Sequence, residues 1–242
     1  MKLTIIVPMF NEERFVGKLL GVLLTATESL GKNVEILVVD DGSTDQSVKV
    51  VSEVNSEKIR LLPLPKNQGK GAAVRQGIKN ASGDLILVQD ADLEYNPEDI
   101  VRMLNIYSSR NNTDIAVYGS RILGAKNALP GWRGKLGLWP GQGIPQRGFN
   151  FFLSVFHLIL TRRWITDLLT GYKIYPKSIF SDWESTTSGF ETDHEITMQL
   201  KKTHIAITEV PVSYAPRSKE MGKKIRGTDA VKAVLTLWKF RK

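Results

Sequence analysis

Three observations predict an α/β fold with a mainly parallel sheet and helices on both faces. Short apolar runs alternate with helix-period segments through roughly the first half of the 242-residue chain. Runs such as Leu3–Val7 and Leu85–Val88 are almost continuously apolar, as strands covered on both faces must be. Finally, a polar cluster follows each of four runs, and in such sheets ligands bind beyond the carboxyl ends of the strands.

Element by element, Leu3–Val7 reads as a buried strand closed by Pro8. Asn11 is expected to cap a helix carrying Glu12 and Glu13 in its first turn and Phe15, Val16, Leu19, Leu20 and Leu23 on its apolar face. Val34–Val39 is a second strand, the turn Asp41-Gly42-Ser43 follows it, and a helix runs through Val54. Ile59–Leu62 reads as a strand, Lys70 to Asn80 as a helix, and Leu85–Gln89 as a strand. Asn96-Pro97 starts a helix reaching about Ser108, and Asp114–Tyr118 is a fifth strand. Residues 124–148, rich in Gly, Pro and Trp, read as a long functional loop. An apolar helix is expected near 149–160, a strand at Tyr172–Tyr175, a helix at Asp193–Lys202 and a strand at Ile205–Val212. Thr228 caps a last helix to about Phe240, with Ala230, Val231, Val234, Leu237 and Trp238 on its apolar face.

Composition narrows the function classes. There are no cysteines, so disulfides, thiolate metal sites and a thiol nucleophile are excluded. MKLTIIVP is too short an apolar run for a signal peptide, and no stretch is expected to span a membrane. Net charge is +8, and nine Lys/Arg stand between Pro216 and Lys242 against Glu220 and Asp229. Such a block attracts phosphates or is a solvated basic tail. No nucleic-acid motif accompanies it, so nucleic acid is not an expected partner. No Walker loop and no G-x-G-x-x-G after the first strand is present, which weakens ATPase and NAD-dehydrogenase readings.

The acidic stretch QDADLEYNPED (89–99) poses the main chemical question. Asp90, Asp92 and Glu94 alternate after a buried strand and repel one another unless a cation offsets them. A hard divalent ion does so with one or two carboxylates plus substrate phosphates; a plain Asx-turn before a helix is the alternative. Asp40 and Asp41 end the second strand, where a nucleobase or ribose is one reading and turn structure the other. Lys70, in NQGKGAA (67–73), either starts a helix or reaches toward a nucleotide.

Taken together, VPMFNEE (7–13), VVDDGSTD (38–45), NQGKGAA, QDADLEYNPED and GSR (119–121) resemble the family 2 inverting glycosyltransferases with the GT-A fold. TDLLTGYKIY (166–175), GFETDHEI (189–196) and EVPVSYAPR (209–217) resemble the branch that makes dolichyl- or polyprenyl-phosphate sugars. The resemblance covers nearly the whole chain and implies one domain, with residues 1–123 as the nucleotide-sugar half and 124–242 as the acceptor half. It implies that Pro8, Phe10, Glu12, Asp40, Asp41 and Lys70 serve the nucleotide and that Asp90 lies against ribose or sugar. Asp90, Asp92 and Glu94 would hold Mg²⁺ or Mn²⁺, and Arg121, Arg217 and Lys223 would meet phosphate. Two departures are noted: many relatives carry transmembrane helices, and segment 130–148 is longer than the family pattern.

A lipid-phosphate acceptor needs cations rather than a base, because a phosphate monoester with a second pKa near ~6 is already a dianion at neutral pH. None of His157, His194 and His204 is required by that chemistry. A sugar-hydroxyl acceptor would instead need a base, Asp193 or Glu191; a catalytically idle nucleotide- or lipid-binding module is the other rival. Phe149 to Leu160, bracketed by Arg147 and Arg162-Arg163, suits either a helix at a membrane interface or a core helix. Trp132, Trp139, Trp164 and Trp238 are candidates for headgroup depth. The expected location is cytoplasmic, peripheral on a membrane's cytoplasmic face.

Overall fold

The computed structural model describes residues 1–109, 115–216 and 227–241. These form a seven-stranded sheet in the order β3-β2-β1-β4-β6-β5-β7. The strands are β1 (Leu3–Met9), β2 (Val34–Asp40), β3 (Ile59–Pro63), β4 (Leu85–Val88), β5 (Ile115–Ser120), β6 (Lys173–Pro176) and β7 (Ala206–Pro211). β6 runs antiparallel between β4 and β5, and the other pairs are parallel. The mixed, mainly parallel sheet is the expected one.

Alternation along β1 builds both cores. Ile5 and Val7 face α1 (Val16–Ala26) and α4 (Glu98–Ser109), while Ile6 faces α3 (Lys70–Asn80), α7 (Ile144–Thr161), α8 (Thr192–Lys202) and α9 (Gly227–Lys239). Val16, Leu19, Leu20 and Leu23 of α1 are fully buried, each contributing about 1.5–3 kcal/mol of transfer free energy.

Several local expectations change. α1 starts at Val16, because Asn11 sits at φ 54° and uses its side chain elsewhere: its Oδ1 accepts from Thr44 N at 2.8 Å. Asn tolerates this left-handed conformation, so Asn11 staples the β1 exit to the turn after β2. The helix after that turn, α2 (Ser47–Ser52), stops short of Val54. Residues 124–148 are largely helical: α5 (Arg121–Ala128) follows β5 directly, with Ser120 Oγ accepting from Leu123 N at 3.1 Å, and α6 (Gly131–Leu136) follows. Gly137 ends α6 at φ 68°, so here glycine punctuates a short helix instead of marking a loop. α7 is 18 residues long, six more than the apolar stretch by itself implied. Asp114 and the side chain of Thr228 lie outside what is described.

At the sheet edge away from the site, Glu35 accepts from Thr4 Oγ1 (2.7 Å), Ser82 N (2.9 Å) and Arg60 Nη2 (2.8 Å). Burial opposes its ionisation, but these donors outweigh burial and hold its pKa down to about 2. Its stabilisation is therefore complete above the ordinary carboxylate range and lost as pH falls through that value. Glu35→Gln should cost about 2 kcal/mol at neutral pH, after discounting for the half-exposed Arg60. Urea denaturation should show the gap between variant and parent closing from about pH 5 to about pH 2; a pH-independent gap would assign Glu35 a packing role only.

Candidate functional site

Loops leaving the carboxyl ends of β1, β2, β4 and β5 surround one cavity of about 720 Å³. Because β6 is antiparallel, its lead-in segment Asp167–Gly171 arrives at the same edge. Pro8, Phe10, Glu12, Asp41, Lys70, Asp90, Asp92, Glu94, Arg121 and Asp193 all line the cavity. Asp40 does not: it is buried, and its carboxylate accepts from Ser43 N at 3.1 Å. Arg217 and Lys223 lie outside the described residues.

At the carboxyl end of β2, Asp41 accepts from Gln68 N and Gly69 N, both at 2.8 Å, fastening β2 to the loop that enters α3. Gly42 is required beside it. Its φ is 74°, and a Cβ there would stand 2.8 Å from Asn67 N.

The acidic loop turns at Leu93, whose φ of 57° is uncommon for a branched residue and marks local strain. The turn lets Asp92 Oδ1 accept from Glu94 N at 3.2 Å. Glu94 Oε2 accepts from Tyr214 Oη at 2.6 Å, and Asp90 Oδ1 pairs with Lys70 Nζ at 2.5 Å. Burial works against the Lys70 ammonium, but Asp90, with Asp193 and Asp92 behind it, keeps its pKa above the ordinary lysine value. Among the described residues no group of three or more Asp, Glu or His is gathered as a metal cage. The carboxylates nevertheless fit a hard divalent cation. Such an ion needs only one or two of them when substrate phosphates complete its shell, and the ammonium lodged at Asp90 marks this end as one that accepts positive charge.

Three partners that sequence reasoning missed organise the opposite wall. Asp167 is fully buried and grips Arg121 through Nε (2.8 Å), Nη2 (2.7 Å) and the backbone N (2.9 Å). Burial disfavours the guanidinium, but Asp167 more than offsets it, so Arg121 stays charged. Lys173, also buried, pairs with Asp193 and donates to Leu168 O at 3.2 Å; burial lowers its pKa. Tyr214 lies with its ring 5.0 Å from the Arg121 guanidinium carbon. A buried Arg or Lys demands a carboxylate partner, and that demand was the available signal, though the sequence did not say which carboxylate meets it.

Of the histidines, His194 is buried on the cavity wall and its Nδ1 has no hydrogen-bond partner among the described residues. Burial, against the pull of Asp193, drops its pKa to about 4. His157 is buried in α7, with its pKa also pushed down to about 4 by burial. Both are neutral near pH 7.

Phe149 and Asn150 of α7 and Ala230 and Ala233 of α9 close the cavity with a mostly apolar wall. The outward faces of the same helices are apolar too: Ile159 is 71% exposed, Leu235 60% and Trp238 51%. Phe156 and Trp238 stack across the pair at 6.5 Å. Of the face expected to be buried, Leu237 is, whereas Val231 and Trp238 are turned outward and Ala233 is buried in their place. Trp132 and Trp164 are exposed, whereas Trp139 points inward and donates from Nε1 to Arg121 O at 2.8 Å. No helix among the described residues is long and apolar enough to cross a membrane.

The same architecture occurs in solved structures. Glucosyl-3-phosphoglycerate synthase from Mycobacterium tuberculosis, in complex with phosphoglyceric acid, superposes with a TM-score of 0.65 at 16% identity over 99% of this chain and 79% of that one. A structure of that synthase with Mn²⁺ and UDP-glucose gives a TM-score of 0.66 at 17% identity, covering 99% and 78%. At this identity the likeness concerns the fold, which is GT-A. Undecaprenyl-phosphate 4-deoxy-4-formamido-L-arabinose transferases of Salmonella paratyphi B and Salmonella typhimurium are 43% identical over 107 residues, 43% of this chain and 32% of theirs. The match therefore spans about a third of these relatives' length. The family model for glycosyl transferase family 2 matches residues 4–180, most of the sheet and its strand-end loops, and the chain accordingly belongs to that family of sugar-transferring enzymes.

Proposed function

We propose that the protein moves a hexose, with inversion, from UDP-glucose or GDP-mannose to a polyprenyl or dolichyl phosphate at a membrane surface, aided by Mg²⁺ or Mn²⁺. The observation that carries this reading is the division of the cavity. Its strand-end side holds Asp41, Lys70, Asp90 and Asp92, and its far wall is apolar and continues into the exposed apolar faces of α7 and α9. A polar donor and an acceptor with a phosphate head and a hydrocarbon tail together match that division. The names of the Salmonella relatives point the same way for the acceptor, and those of the Mycobacterium tuberculosis structures for the metal.

In this reading residues 1–123 serve the donor and 124–242 the acceptor, within one domain. Pro8, Phe10, Glu12 and Asp41 line the nucleoside end, with Asp40 shaping the turn behind it. Asp90 and Asp92, with Glu94 beside them, would hold the divalent ion, which supplies Lewis-acid neutralisation of the donor diphosphate. Lys70 exchanges its ion pair with Asp90 for donor phosphate. Arg121, Arg217 and Lys223 hold the acceptor phosphate. One of its oxygens attacks the anomeric carbon, the bond to the diphosphate breaks, and the nucleoside diphosphate leaves with the electron pair. No proton is removed from the acceptor.

The contacts of Asp193 favour this over a sugar-hydroxyl acceptor, because its two carboxylate oxygens are already engaged, one by the buried Lys173 ammonium and the other by Tyr175 Oη at 3.3 Å. The test is transfer of radiolabelled sugar from a panel of nucleotide sugars into polyprenyl phosphate carried in vesicles, with and without EDTA. Lipid-soluble label that EDTA abolishes is the expected result. Asp193→Asn should keep a larger share of activity than Arg217→Lys, which loses the planar fork for phosphate. Label appearing only in a soluble glycan, together with an inactive Asp193→Asn protein, would overturn the lipid-phosphate reading.

A further inference from the structure

Tyr214 touches both the acidic loop and the Arg121 wall of the cavity. It follows β7, is buried, and lines the cavity. Its hydroxyl donates to Glu94 Oε2 at 2.6 Å, on the donor side. Its ring lies under the Arg121 guanidinium at 5.0 Å, on the acceptor side. The backbone reinforces the same join: Tyr214 forms a β-bridge with Tyr95, and Ala215 N donates to Glu94 O at 2.8 Å. One residue earlier, Ser213 N donates to the buried Asp99 at 2.6 Å, which ties the segment to the first turn of α4. The Tyr95 ring packs against Tyr214 at 5.2 Å and against Tyr172 at 4.5 Å, so the phenol is held from behind.

We propose that Tyr214 is a positioning residue that couples the two halves of the site, holding the Glu94 carboxylate with its hydroxyl and the Arg121 guanidinium with its ring face. This rests on the reading of the two ends of the cavity given above. The geometry gives each half of the side chain a separate task. The hydroxyl orients an acid in the loop that carries Asp90 and Asp92. The ring supplies a cation–π surface that, with Asp167, keeps the guanidinium plane in one orientation. Burial raises the phenol's pKa above its ordinary value, so it remains a donor throughout the neutral range.

Two variants separate the tasks. Tyr214→Phe removes the hydroxyl and keeps the ring; Tyr214→Leu removes both. Calorimetry with UDP and with GDP, each in the presence of Mn²⁺, reads the donor side without turnover. Binding of farnesyl phosphate reads the acceptor side. Tyr214→Phe should weaken nucleotide–Mn²⁺ binding by roughly tenfold, the scale of one hydrogen bond to a charged group, and leave farnesyl phosphate binding unchanged. Tyr214→Leu should weaken both. In Glu94→Gln protein the Tyr214→Phe change should add little, since the two groups share one interaction. Parental nucleotide–Mn²⁺ affinity in Tyr214→Phe would overturn the proposal. So would equal losses on both sides in Tyr214→Phe accompanied by a lowered Tm, which would make Tyr214 a packing residue only. If the parent does not bind farnesyl phosphate, the lipid-phosphate reading fails, while the nucleotide–Mn²⁺ arm and the Glu94 cycle still decide the link between Tyr214 and the acidic loop.

Discussion

Asp92→Ala should lower kcat by about 10³-fold while leaving Tm within a degree or two of the parent, a loss of about 4 kcal/mol of transition-state stabilisation. The expectation follows from where the residue stands. It lines the cavity two positions beyond Asp90, in a loop whose left-handed turn at Leu93 keeps the carboxylates at the strand end. Its Oδ1 accepts from the adjacent Glu94 amide at 3.2 Å, a contact local to the loop. In the proposed reaction charge builds on a leaving diphosphate, and a carboxylate that helps place a cation there would act mainly in the transition state. Single-turnover kinetics across a Mg²⁺ and Mn²⁺ titration would check this. A parental rate in the variant, insensitive to EDTA, would remove Asp92 from the metal-holding set.

Asp167→Ala should destabilise the protein by about 3–5 kcal/mol, the scale for removing one partner of a buried ion pair. Arg121 donates to Asp167 through Nε and Nη2, and Asp167 also accepts the Arg121 backbone amide. Behind it, Glu209 Oε1 accepts from Asp167 N at 3.1 Å and Glu209 Oε2 from Thr166 N at 2.8 Å, anchoring the lead-in of β6 to β7. Removing the carboxylate strands a buried guanidinium and frees one end of that network. Urea denaturation measures the cost directly. Arg121→Met combined with Asp167→Leu should recover much of the lost stability, because replacing both partners leaves no unpaired charge. Recovered stability without recovered transfer would separate the pair's structural role from the acceptor role proposed for Arg121.

The sequence by itself determined the order of strands and helices in the first half, the sheet class and the edge on which the strand-end polar clusters gather. The physical reason is that these features are local. A strand buried on both faces must be apolar throughout, and α3 follows from helix-favouring residues after Gly69, so it spans Lys70–Asn80 as the pattern predicts. Polar residues just past such strands have one edge on which to stand.

Tertiary structure decided what each charged side chain faces. Tyr214 reaches Glu94 across 120 residues, Arg121 reaches Asp167 across 46, and Lys173 reaches Asp193 across 20. Those pairings depend on β6 entering the sheet antiparallel between β4 and β5, and its four residues carry no periodic signal of direction. The same holds for α9. Its pattern announced an amphipathic helix and placed Leu237 inward correctly, but packing against α7 and α8 buried Ala233 beside it and left Val231, Leu235 and Trp238 outside. A helix's apolar width can be read from its spacing; which part of that width meets the core is decided by the neighbours that arrive beside it.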